Sequence, residues 1–338
     1  MRQVWIPKHG PPEVLEVREA PEPRPKAGEI RIQVAAAGIN FADILARIGL
    51  YPDAPPLPAV VGYEVAGTVD AVGEGVEGFS VGDRVAALTR FGGYSESVVV
   101  PVTQAVRVPE GLSLEKAAAV PVNFLTAWLM LVHLGNIHRG ERVLIHSAGG
   151  GVGLAAVQIA RWRGAEIFGT ASAAKHGRLR EMGVAHCIDY RREDFEARVR
   201  EITGGEGVHL VLDAVGGESF RKSYRCLAPT GRLFLFGVSS FAPGRRRDLF
   251  AVLRGFLSLP SFKPLDLMQR NRGVFGVNMG RLWHLSGLME GILKALFERI
   301  EAGDFDPVVD RSFRFDEAAQ AHRYIQDRKN FGKVLLVP

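Results

Sequence analysis

In the first third of the chain, apolar positions recur in short alternating runs at 30–36, 64–72, 84–88, 94–100 and 105–108. Alternation with a period of two places successive side chains on opposite faces of a strand. Pro21, Pro23, Pro25, Gly62, Gly73, Gly75 and Gly82 separate the runs, and turn residues so spaced predict a compact, barrel-like β domain. From about residue 123 the pattern changes. Apolar runs at 143–146, 166–170, 186–189, 210–213 and 232–236, with a last one at 274–277, alternate with stretches of helical period. Such alternation predicts an α/β fold, a doubly wound parallel sheet with helices on both faces. The tail reads as a helix over 285–302, a strand over 308–313, a helix over 316–327 and a closing strand over 333–337. These pieces do not extend the alternation and are expected to return to the first domain. A chain of 338 residues exceeds one core, so the expected division is 1–122, 123–278 and 279–338, the last joining the first.

Within the second pattern, Ala148, Gly149, Gly150, Gly151, Val152 and Gly153 lie between the run at 143–146 and an amphipathic helix that begins near Val152. In a strand-loop-helix setting, such glycines let the backbone turn tightly and approach a pyrophosphate. The helix start adds free N–H groups and the positive end of its dipole. Ala148 stands where the usual fingerprint has its first glycine, a place a small residue can fill. The alternative is a merely structural turn. About 20 residues later an acidic side chain would accept the ribose 2′-hydroxyl of NAD. The chain there reads Gly169, Thr170, Ala171, Ser172, Ala173, Ala174, Lys175, His176. No acid repels a 2′-phosphate, Lys175 offers a cation and Ser172 a hydroxyl, which favours NADP; the alternative is a lysine that only solvates a helix start. Tyr190 follows the next strand and either flanks the adenosine or packs on the strand edge.

The net charge of +5 is unevenly spread: twelve Lys or Arg against two acids lie between Arg221 and His284, which leaves the rest of the chain at −5. Arg245, Arg246 and Arg247 form one cluster without a nucleic-acid recognition fold around it, so no nucleic acid is expected. Over 241–262 these arginines and Arg254 alternate with Phe241, Phe250, Phe256 and Phe262 on a helix expected to end at Pro260. Such a segment either lies on an anionic membrane surface or covers a site mouth or subunit interface while its arginines stay solvated. No apolar run reaches the roughly 20 residues a bilayer span needs, and the N-terminus lacks a signal peptide's apolar region, so a cytoplasmic location is expected. Cys187 and Cys226 have no paired spacing and read as core thiols. The histidines show no metal or triad spacing, and no Gly-x-Ser-x-Gly elbow occurs.

The glycine loop, together with the run from Gly62, Tyr63 and Glu64 to Val69, the run Gly82-Asp83-Arg84-Val85 and the closing Gly332-Lys333-Val334-Leu335-Leu336, resembles the medium-chain dehydrogenase/reductase superfamily over essentially the whole chain. Within it the chain is similar to the quinone oxidoreductase group. The run 169–176 and the Phe/Arg-rich segment near 240–272 resemble the vesicle amine transport protein branch. The resemblance implies a GroES-like β-barrel catalytic domain, a Rossmann NADP-binding domain and a reaction cleft between them. It implies that Asn40, Tyr51, Tyr63 and Thr126 lie near nicotinamide and substrate, and that Val215, Phe236, Gly237, Phe275, Val277 and Asn330 complete the cofactor groove. Zinc-dependent relatives need cysteine, histidine and cysteine as catalytic ligands. The corresponding places here hold Asn40, Tyr63 and Val122, and no cysteine precedes Cys187, so a tetrahedral zinc site cannot be assembled from them.

The function so implied is a zinc-independent, NADPH-dependent oxidoreductase that passes a hydride to a quinone or α,β-unsaturated carbonyl, acceptors that spread the resulting charge onto a distant oxygen. Asn40 would donate an amide N–H to that oxygen or only cap a turn. Tyr51 or Tyr63 would hydrogen-bond it, pass a proton or simply pack. Thr126 would touch the nicotinamide ribose or cap its helix. The alternative function is a lipid- or membrane-surface-binding protein of the same fold with little reductase activity. Family likeness and an edge strand at 274–277 imply a homodimer.

Overall fold

The computed structural model describes residues 1–242, 244–245 and 247–338. The chain divides into two compact units: Met1–Leu125 with Gly244–Arg247 and Met279–Pro338, and Thr126–Pro243 with Asp248–Asn278.

The first unit opens with β1 (Arg2–Trp5), paired antiparallel to β2 (Glu16–Glu19). Then follow β3 (Glu29–Gly38), α1 (Phe41–Arg47), β4 (Glu64–Val72), β5 (Arg84–Leu88), β6 (Ser97–Pro101) and β7 (Ala105–Arg107). Alternation decides which face of β3 is covered: Ile30, Ile32 and Val34 are buried, Gln33 and Ala35 exposed. The buried set packs on Val65, Val69, Val85, Val98 and Val100. Gly67 on β4 meets β3 so closely that a Cβ there would lie 2.0 Å from the Gln33 carbonyl oxygen. After β7 come α2 (Leu114–Ala118), whose start is capped by the Ser113 hydroxyl accepting from the Lys116 N–H at 3.2 Å, and α3 (Pro121–Trp128).

In the second unit, strands and helices alternate: β8 (Arg142–Ile145), α4 (Gly151–Trp162), β9 (Glu166–Ala171), α5 (His176–Glu181), β10 (His186–Asp189), α6 (Phe195–Ile202), β11 (Val208–Asp213), α7 (Glu218–Arg225) and β12 (Leu227–Leu235). Next are α8 (Leu249–Leu257), α9 (Pro264–Arg270) and β13 (Gly273–Gly276). The six strands are all parallel, in the order β10-β9-β8-β11-β12-β13. This is a doubly wound Rossmann-type sheet, and its order reverses between β8 and β11, the switch point where such sheets bind ligands at their carboxyl edge. Leu144, Phe168, Ile188, Val211 and Leu233 form part of its core.

The chain ends with α10 (Ser286–Glu301), β14 (Val309–Arg314), α11 (Ala318–Gln326) and β15 (Lys333–Val337). β15 lies between β14, to which it is parallel, and β3, to which it is antiparallel, so the last strand completes the first unit's seven-stranded sheet.

The helix expected over 241–262 is shorter in the structure. It starts at Leu249 because the Asp248 carboxylate accepts from the N–H groups of Phe250 and Ala251 at 3.0 Å, an N-cap that fixes where the helix can begin. It ends at Leu257, three residues before Pro260. Arg245 precedes it and pairs with Asp327 at 3.1 Å; Pro243 and Arg246 lie outside the described residues. α8 and α9 leave Leu249, Phe250, Leu253, Phe256, Leu257, Leu265 and Met268 exposed. No helix of the described residues is long and apolar enough to cross a membrane.

Candidate functional site

The glycine loop leaves the carboxyl end of β8. The His146 N–H donates to the Leu212 carbonyl at 3.0 Å, Ser147 turns with a positive φ of 54°, and the Ala148 N–H donates to the Thr170 carbonyl at 3.1 Å. Gly150 is the extended residue before α4 (φ −86°, ψ 175°), and Gly151, Val152 and Gly153 form the first helical turn. A Cβ at Gly153 would sit 2.4 Å from the Ser147 carbonyl oxygen and 2.7 Å from that of Ala148. Only glycine lets the helix start so close under the loop. The first N–H groups of an α-helix have no carbonyl partner within it and point, with the dipole, toward whatever lies in front. Leu154, Ala155, Val157 and Ile159 are buried, so the helix that presents those groups is firmly anchored. A dinucleotide's pyrophosphate fits this cradle on backbone grounds.

Other residues expected around the cofactor share the same edge of the sheet, because each follows or ends a parallel strand. Ser172 directly follows β9, and Lys175 closes the short 3₁₀ turn after it and precedes α5; both are half-buried. Tyr190 follows β10, with the Arg191 guanidinium 5.9 Å from its ring centre. Val215 follows β11, and Phe236 and Gly237 follow β12, the Phe236 N–H donating to the Asp213 carbonyl at 3.1 Å. Phe275 stacks on Phe234 within the sheet at 5.1 Å, and Val277 follows β13, its N–H bound to the Leu235 carbonyl at 2.9 Å. Thr126 is buried within α3.

A buried polar chain that the sequence reading left unassigned ties these strand ends together. Asp213, fully buried at the end of β11, accepts from the Val215 N–H and from the hydroxyls of Ser219 and Ser223, each at 2.7 Å. His146 reaches Ser223 Oγ at 2.9 Å with Nε2 and Thr170 Oγ1 at 3.1 Å with Nδ1. Burial lowers the His146 pKa, opposed by the Asp213 charge. The network fixes the loops after β8, β9 and β11 relative to one another.

In the first unit, Asn40 is the residue before α1. Its amide is occupied at both ends: Nδ2 donates to Glu64 Oε1 at 2.9 Å, and Oδ1 accepts from Lys333 Nζ at 2.8 Å. Lys333 and Glu64 form an ion pair with almost no exposure, and Glu64 Oε2 accepts from the Val122 N–H at 2.7 Å. The Asn40 amide, expected to donate to substrate or cap a turn, is held by two charged partners. Asn330 lies before β15, its Nδ2 donating to the Gly332 carbonyl at 2.9 Å.

Asp43, wholly buried in α1, accepts from the backbone N–H groups of Asn40 at 2.7 Å and Gly62 at 3.1 Å and from the Tyr94 hydroxyl at 3.0 Å. Desolvation pushes its pKa up to about 7 despite these donors. Tyr94 lies 3.4 Å from His322, which in turn accepts from Arg47 at 3.3 Å. Burial, then the Arg47 charge, holds the His322 pKa well below its usual value.

Tyr63 directly follows Gly62, whose N–H is held by Asp43. Its ring lies 5.2 Å from Phe91 and edge-on to Tyr51 at 6.1 Å. The Tyr63 hydroxyl is buried and makes no hydrogen bond of ordinary geometry with the described residues. Burial raises its pKa far above the normal phenol value, and the Asp43 and Tyr51 charges add to the effect; burial also raises that of Tyr51. Tyr63 and Phe91 line a cavity of about 250 Å³ with Trp283, Arg90 and the Asp53–Arg281 ion pair. Among the described residues no three His, Cys, Asp or Glu converge as metal ligands would.

Taken with this geometry, the comparisons with known proteins define the class: the chain belongs to the zinc-independent medium-chain dehydrogenase/reductases, in the quinone oxidoreductase/VAT-1 branch. Residues 26–110 match the alcohol dehydrogenase GroES-like domain, and residues 182–336 match a family described as zinc-binding dehydrogenase. Among relatives, the synaptic vesicle membrane protein VAT-1 homolog of Homo sapiens is 42% identical over 96% of this chain and 82% of its own length. A quinone oxidoreductase of Pseudomonas aeruginosa is 36% identical over 100% of this chain and 99% of its own. Among solved structures, Escherichia coli quinone oxidoreductase complexed with NADPH superposes with a TM-score of 0.88 at 32% identity, all of both chains being covered.

The Asp43 carboxyl gives a pH test. Its folded pKa is raised above the unfolded value, so its contribution to stability is full below about pH 4 and is lost as pH rises toward 7. Relative to wild type, Asp43→Asn is expected to gain stability across that window, by about 1.4 kcal/mol for each pH unit of the rise, and to show no further change above pH 8. Urea unfolding of both proteins between pH 4 and 8 measures this; a difference independent of pH would contradict the buried neutral carboxyl.

Proposed function

We propose that this protein is an NADPH-dependent reductase whose acceptor is a quinone or an α,β-unsaturated carbonyl. The observation that carries the acceptor side is the buried Tyr63 phenol, beside Tyr51, in an aromatic-walled cavity with two arginines. A flat, electron-poor ring or enone suits such walls. When bound, a reduced nicotinamide supplies the hydride.

The chain's own residues bind, orient and stabilise. The start of α4 holds the pyrophosphate, and Ser172 and Lys175 meet the 2′-phosphate. The cofactor groove is completed by Val215, Phe236, Gly237, Phe275, Val277, Asn330 and Thr126, with Tyr190 at the adenosine. Tyr63, whose one near polar neighbour is the Tyr51 hydroxyl, donates its O–H to the oxygen that gains negative charge, a hydrogen bond stronger in the charged state than in the neutral one. Tyr51 lies beside it and relays the proton. Asn40 acts by holding Lys333 and Glu64 in place. The NADPH in the E. coli quinone oxidoreductase complex supports the choice of cofactor. This reading gives the exposed apolar side chains of α8 and α9 no role in hydride transfer.

Stopped-flow oxidation of NADPH against a panel of benzoquinones, naphthoquinones and enones is expected to show turnover with at least one class, and Tyr63→Phe should lower kcat/KM about 100- to 1,000-fold, in the range of a lost oxyanion donor. No NADPH oxidation across the panel would remove the reading. Lys175→Glu should weaken NADPH at least tenfold, about 1.4 kcal/mol, and leave NADH within twofold. Equilibrium fluorescence titration checks it; an unchanged NADPH preference would remove Lys175 from 2′-phosphate recognition.

A further inference from the structure

The glycine loop sits at the carboxyl edge of the six-stranded sheet. At the opposite, amino edge, α6, α7 and α9 end and β13 begins, and there Arg200, Tyr224, Arg225, Asp266, Arg270 and Arg272 line a cavity of about 320 Å³. We propose that this cavity binds a small, multiply charged oxyanion of the phosphate or pyrophosphate type, separate from the dinucleotide.

The charge balance points to an anion. Arg225 grips Glu196 with two nitrogens at 2.8 and 2.7 Å, and Arg200 shares the same carboxylate at 3.1 Å. Arg270 and Asp266 make no ion pair with each other or with any other described residue. Arg225 also lies 3.8 Å from Glu218, so four guanidiniums face three carboxylates, an excess of one positive charge around one concavity. Guanidinium forks match phosphate oxygens in shape as well as charge.

Arg272 is held in place by its neighbours. The Arg272 guanidinium lies 5.3 Å from the centre of the Tyr224 ring, and its terminal nitrogens donate to the carbonyls of Tyr224 and Leu227. Its Nε is buried without a partner, and so is the Tyr224 hydroxyl. Both atoms are closed off from solvent, so an anion in the cavity is met by the accessible guanidiniums of Arg200, Arg225 and Arg270. Burial lowers the Arg272 pKa, Tyr224 and Cys226 oppose this, and the Arg270 and Arg200 charges add to the lowering.

Arg200, Arg225 and Arg270 each stand in the last turn of their helices, where a cation complements the dipole. That accounts for each one separately. It does not account for their meeting Arg272 around a single cavity.

The test is calorimetric titration of the full chain with inorganic pyrophosphate, with and without saturating NADPH, at ionic strength held constant with sodium chloride. One saturable site that persists with NADPH present is expected, weakened at least fivefold in Arg270→Gln and in Arg200→Gln. Arg270 is exposed and unpaired, so its variant tests the site even if Arg272→Gln fails to fold. Four results would overturn the proposal: no saturable heat, equal affinity in the variants, competition by NADPH, or binding only of a long polyanion such as heparin.

Discussion

A helix can begin directly beneath the Ser147–Ala148 carbonyls only if residue 153 has no side chain, since a Cβ there would press to within 2.4 Å of a backbone oxygen. That steric limit governs the nucleotide-binding unit. It sets the angle at which α4 leaves β8, and hence where the unpaired N–H groups of its first turn point. The strand order β10-β9-β8-β11-β12-β13 then places this turn beside the reversal point of the sheet, where neighbouring loops diverge and leave room for a ligand. The Asp213–Ser223–His146–Thr170 chain ties the ends of β8, β9 and β11 together. The loops that would meet a cofactor are therefore held by hydrogen bonds rather than left to pack loosely.

The first unit solves a different problem with buried charge. Glu64 and Lys333 pair in the core through Asn40, and Asp43 collects donors from Asn40, Gly62 and Tyr94. Such pairs are weak arguments for stability, but removal of one partner strands the other, at a cost of about 3–5 kcal/mol. Here they join α1, β4 and β15, elements far apart in the chain, and set the backbone just ahead of Tyr63. The phenol of Tyr63, which lines the cavity, is thereby oriented from behind, with Tyr51 beside it.

Much of the fold was legible in the sequence because one buried face imposes a period. The runs at 64–72, 84–88, 186–189 and 333–337 have the same bounds as β4, β5, β10 and β15. β2 was not legible: all four of its residues are exposed, so no alternation marks it. α1 was not legible because it spans only seven residues and its two charged residues, Asp43 and Arg47, are buried rather than solvated. The helix within 241–262 starts later than its composition suggests because the Asp248 cap fixes its first turn. The glycine loop was legible because its constraint is local. Asp43, Arg47 and His322 were not, since a single charged or polar residue reads as surface until the fold surrounds it, and the pairing of Glu64 with Lys333 spans elements that no local pattern links.

The most direct test of the account is the NADPH dissociation constant of Gly153→Val, measured by fluorescence titration on protein shown to be folded by circular dichroism. A loss of at least 100-fold in affinity is expected, because the helix start is pushed away from the loop it packs against. Affinity within threefold of wild type would mean that the phosphates do not rest on the first turn of α4, and the placement of the cofactor would be wrong.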